Sequence, residues 1–161
     1  METPRLLRIY LNDHLAGATA AAALARRAAR SNRGSDLGAL LERHASDLAA
    51  EKETLLVAMQ ALGVRRNRAK EAAGAVAERL GRLKLNGRIV HYSPLSRLVE
   101  LEGLTALEEM NRGLWESLRA TPGVADRIPA DLDLLVEEAA GRPAELEPFR
   151  REAARIALVS D

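Results

Sequence analysis

Cysteine is absent from the chain. Without it there is no disulfide, no zinc–thiolate site and no thiol nucleophile; the redox compartment stays open, with the cytoplasm as the default location. Aromatic residues are nearly as scarce, at 2% of 161 residues, and β-branched residues are too few to fill several buried strands. The glycines are scattered through turns rather than gathered in a phosphate-binding loop. No Gly-x-Ser-x-Gly elbow occurs, and none of the three histidines stands beside a plausible nucleophile, so the motifs of kinases and common hydrolases are missing. Long apolar runs are lacking too. The N-terminal stretch "METPRLLRIYLNDHLAG" is interrupted by charges and reads as neither a signal peptide nor a membrane span.

What is abundant is alanine, leucine and charge. That composition favours helices, and the length suits one domain, residues 1–161, with a single sizeable core. The formal net charge of +1 hides an asymmetry. Residues 1–92 carry 16 Lys/Arg against 9 Asp/Glu, whereas residues 93–161 carry 8 against 14. Halves of opposite sign folding together satisfy much of this charge internally, so the isoelectric point alone is no argument for a nucleic-acid partner.

Residues of one stripe recur at alternating spacings of three and four from Arg5 to Arg30, through Leu7, Leu11, His14, Ala18, Ala21, Ala25 and Ala28. "SNRGSD" breaks this first helix, and Ser35 or Asp36 caps a second that runs to about Leu62. A connection of about thirty residues follows, in which Ala69, Ala72, Ala73, Val76, Leu80 and Leu83 mark a short amphipathic helix. A third long helix starts at Ser93 or Pro94 and extends to about Arg119; a fourth covers about Asp131 to Leu158. Pro143 and Pro148 are expected to kink or split the fourth near Gly141 to Pro143. Two hairpins of long helices joined by a long crossover describe an all-α, ferritin-like four-helix bundle, with the second and third helices parallel.

The stretches "RIYLNDHLAGATA", "ARRAARSNRG", "LGRLKLNGRIV" and "YSPLSRLVELEGL" resemble a set of uncharacterised ferritin-like proteins from actinobacteria, over nearly the whole length. The resemblance implies the bundle fold and its connectivity, and carries no activity with it. The wider ferritin-like superfamily holds two iron or manganese ions with one glutamate from each of two helices and a Glu-x-x-His pair from each of the others. No such pair exists here: three residues before His14, His44 and His91 stand Leu11, Leu41 and Arg88. Oxidase, ferroxidase and hydroxylase chemistry are therefore not expected, and no cofactor is assigned.

Two polar residues nevertheless fall on the apolar stripe of the second helix, in "LLERHASDLAAEKETLL": His44 and Glu51. His14 falls on that of the first. Matching heights across the first turn places His14 near Glu51, and starting the second and third helices together places Glu102 near His44. The favoured reading is two buried polar pairs, His14–Glu51 and His44–Glu102, because buried polar groups need partners. The alternative is an unconventional metalloprotein in which His14, His44, Glu51 and Glu102 bind iron, manganese or zinc. Buried pairs of this kind are expected to break when the carboxylate takes a proton, so that stability falls in acid.

Residues 65–91 carry eight Lys/Arg and two Glu. The plain reading is a solvated face. The functional one makes Arg65, Arg66, Arg68, Arg79, Arg82, Lys84 and Arg88 an anion-binding surface. Nucleic acid is disfavoured there because stacking aromatics are lacking, and membrane insertion because the apolar face is mostly alanine. The small residues of "ATAAAALA" let a neighbouring helix approach, either within the chain or in a homodimer, and Trp115 reads as core. The sequence thus favours a non-enzymatic bundle that acts as a binding or interaction protein, its partner unspecified.

Overall fold

The computed structural model describes residues 3–70 and 92–159, and among these every regular element is a helix. They are α1 (Arg5–Ser31), α2 (Asp36–Ala61), α3 (Pro94–Arg119), the single turn α4 (Pro122–Ala125) and α5 (Leu132–Ala157). The short helix expected around residues 69–83 lies almost wholly outside the described residues.

The helix starts follow local chemistry. Ser35 Oγ accepts the Gly38 N–H at 3.1 Å, and Asp131 accepts that of Leu134 at 3.0 Å. Ser93 and Ser96 close a capping box ahead of Pro94. Past the ends of α1 and α2, Gly34 (φ 81°) and Gly63 (φ 70°) take the left-handed conformation that a side chain disfavours. The expected split of the fourth long helix does not occur. Pro143 and Pro148 each delete a backbone donor, yet α5 runs through both. Ala139, Leu146 and Ala153 along its length are buried, and that packing outweighs local helix-breaking preference.

Pairings between helices define the directions. Met110 of α3 fills the space that a Cβ on Gly17 would need, and Leu24 touches Gly103 in the same antiparallel register, which brings α1 and α3 close. Arg119–Asp133 at 3.0 Å and Arg150–Glu102 at 3.7 Å set α3 and α5 antiparallel. α1 packs on α2, α3 on α5 and α1 on α3, while the backbones of α2 and α5 approach at few points. That last seam is filled by long side chains.

The core consists of two apolar clusters. One joins Ala21, Ala25, Leu41, Leu48, Leu101 and Leu104 to Leu146 and Ala153. The other joins Leu11, Leu15, Leu55, Met59, Leu114 and Leu118 to Ile128, Leu132 and Ala139. Between them lie buried polar side chains.

Candidate functional site

Three helices build this polar layer. α2 contributes His44 and Glu51, two turns apart; α3 contributes Glu108, Asn111 and Trp115; α5 contributes Arg142 and Glu145. Spacings of three, four and seven keep each set on one face of its helix. The side chains meet in two rungs.

In the first rung His44 Nδ1 lies 2.7 Å from Glu108 Oε1 and His44 Nε2 lies 3.3 Å from Glu145 Oε2. His44 and Glu108 are sealed from solvent, whereas the Glu145 side chain is 53% exposed. Burial disfavours a charge on the imidazole, but the hydrogen bonds and charges of Glu108 and Glu145 together outweigh it, so the pKa of His44 is raised. The protonated ring donates to α3 on one side and to α5 on the other.

In the second rung Trp115 Nε1–H donates to Glu51 Oε1 at 2.6 Å, and Arg142 Nη2 donates to Glu51 Oε2 at 2.5 Å. Asn111 adds a further hydrogen bond to the same carboxylate. Both ions of the Glu51–Arg142 pair are buried, with side chains 5% and 7% exposed. Burial raises the pKa of Glu51 more than Arg142, Trp115 and Asn111 lower it, and the neighbouring Glu108 charge pushes the same way as burial. Glu108 Oε2, Asn111 Oδ1 and Arg142 Nε are buried without a partner among the described residues, so the layer costs stability even though its main contacts are good.

The sequence expectation had the right residues on α2 and the wrong partners. His44 meets Glu108, not Glu102; Glu102 is exposed and faces Arg150. Glu51 commits both oxygens to Trp115 and Arg142 rather than to His14. His14 is half-buried with its ring 4.3 Å from that of Tyr10, its Nδ1 has no partner among the described residues, and burial lowers its pKa against the pull of Asp13. For Glu102 the cause is register. His44–Glu108 and Glu51–Trp115 both span 64 residues, whereas level helix starts imply a span of 58, a slip of six residues or about 9 Å. α3 begins beyond the α1–α2 turn, where the Tyr92 hydroxyl accepts from Asn32 Nδ2 at 2.9 Å.

The layer does not suit the dinuclear centre of the ferritin-like superfamily to which the sequence bears a resemblance. Among the described residues no three His, Asp or Glu side chains are grouped to hold a cation. Glu51 already faces a guanidinium, and one His44 nitrogen is bound to Glu108. Asn111, Trp115 and Arg142 are missed by a search for metal ligands. Spacing along the helices carried the only signal for the first two: Asn111 and Trp115 share the stripe of Leu104, Glu108 and Leu118.

Of the basic crossover, Arg65, Arg66 and Arg68 are exposed, and Arg79, Arg82, Lys84 and Arg88 lie outside the described residues. The backbone beneath the first three is anchored. Asn12 donates from Nδ2 to the Arg65 carbonyl at 3.2 Å and accepts the Asn67 N–H at 2.6 Å, and Lys70 pairs with Asp13 at 2.8 Å. No protein-family model, no curated protein and no solved structure matches this chain.

Proposed function

We propose that the chain is a ferritin-like four-helix bundle in which a fixed polar layer stands in place of a dinuclear centre, and that it works as a non-catalytic binding or interaction protein. The observation that carries this reading is the buried Glu51–Arg142 pair: the carboxylate most deeply set between α2, α3 and α5 has its cation supplied by the chain itself. A guanidinium is permanently charged, so it neutralises Glu51 at every physiological pH and cannot be exchanged for an ion. Chemistry on a bound substrate would also need access, and only Glu145 of the first rung reaches solvent. No described helix is long and apolar enough to cross a membrane, and the cytoplasm stays the default setting for this reading.

Elemental analysis of the purified, dialysed protein tests the reading. Iron, manganese and zinc are expected far below one equivalent per chain. A stoichiometric metal that is lost on His44→Ala would overturn it in favour of an unconventional metalloprotein.

A further inference from the structure

Leu6 is 77% exposed and Ile9 39% exposed on the first turns of α1. Beside them the chain gathers six cations and one acid over residues 5–13 and 65–70. Arg5, Arg65 and Arg68 are exposed and their side chains make no ion pair among the described residues, while Asn12 holds the backbone of 65–67 against α1. This loop presents its arginines from a fixed base.

A surface of opposite sign occurs on α5. Leu134 is 49% exposed, and residues 131–138 hold four acids and no base. Asp131 and Glu137 sit three residues either side of Leu134, and Glu138 four residues on, so they frame it on the helix surface. Glu137 and Glu138 are exposed and make no ion pair among the described residues. The antiparallel registers of α1 with α3 and of α3 with α5 put Leu6 and Leu134 level, at the same end of the bundle, on helices that do not pack on each other.

From this complementarity we infer that the basic, leucine-centred surface around Arg65 and Arg68 docks on the acidic surface around Leu134 of a second copy of the chain. The apolar centres supply the buried area and the charges set the partner and the encounter rate. Association between surfaces paired through exposed charges is expected to be salt-sensitive. This partner is independent of the interior layer: a metal found there would leave it untouched.

The test is analytical ultracentrifugation of the full-length protein across a concentration series, at low and high salt. Concentration-dependent association that weakens at least about tenfold at high salt is expected. Arg65→Glu/Arg68→Glu and Glu137→Lys/Glu138→Lys should each be monomeric, with unchanged thermal melts. An equal mixture of the two variants should associate again, because each reversed surface finds a reversed partner. A wild-type chain that stays monomeric throughout, or an association that neither reversal weakens, overturns the inference.

Discussion

The two rungs of the interior layer use the same three helices and differ in what closes them. The Glu51 rung is dry: both ions are buried, and a tryptophan and an asparagine complete the carboxylate's hydrogen bonds. The His44 rung is dry on the α3 side and wet on the α5 side, where Glu145 is half in solvent. A sealed rung can only be satisfied or broken. A rung with one wet member can trade a proton with water, and water can replace that member. The same geometry therefore yields a sealed ion pair in one place and a contact open to water in the other.

The sharpest way to break the contrast is Arg142→Ala. It leaves Glu51 buried with no cation, and removing one member of a buried pair costs about 3–5 kcal/mol. Urea unfolding should show that loss in midpoint. The double replacement Glu51→Leu/Arg142→Met should recover most or all of it; an equal loss in the double variant would mean that the ion pair is not what the site depends on.

Trp115→Phe is the next largest. It keeps the ring in the core and removes the N–H that Glu51 accepts, an expected cost of about 1–3 kcal/mol by the same measurement. If stability is unchanged, the indole serves packing alone.

The wet rung is tested by a slope. The pKa of His44 is raised in the folded chain, so its contribution is fully present below the unfolded value of 6.5 and is lost as pH rises through the folded value. The raised pKa of Glu51 acts in the same sense from pH 4.5 upward. On both counts the interior loses support as pH rises, a dependence that the sequence-based expectation of failure in acid does not include. At the surface Arg150 and Arg151 hold Glu147 at about 2, so that its support is present above pH 4.5 and fades as pH falls toward about 2. Unfolding free energies from pH 6 to 9 should fall with pH in the wild type and flatten in His44→Gln (reference range from the ordinary imidazole pKa of about 6.5). Identical slopes would remove His44 from the account.

Glu145→Gln should be the mildest change. A carboxylate 53% exposed, 3.3 Å from its partner, is worth less than about 1 kcal/mol. A loss as large as that of Arg142→Ala would show both rungs to be equally sealed.

Much of the fold was legible because helices announce themselves locally. The three-and-four spacing, Ser35, Ser93 and the turn glycines define the long helices to within a residue or two of their observed ends. The inward direction of His44 and Glu51 follows from the same spacing. Their partners were not legible, because nothing local to α2 or α3 says how far one slides along the other; a six-residue slip exchanges Glu108 for Glu102 and Trp115 for Glu109. Arg142 was hidden for another reason. It stands between Gly141 and Pro143, where local chemistry signals a break, and an arginine in a break has no reason to face inward. Only the continuous α5 aims it at Glu51.

The polar layer also partitions the hydrophobic interior. Leucines of the α1–α2 turn end and leucines of the opposite end belong to separate oily compartments, so a local opening that frays one need not melt the other. Amide protons should accordingly exchange in two blocks whose frontier follows the line from His44 to Glu51.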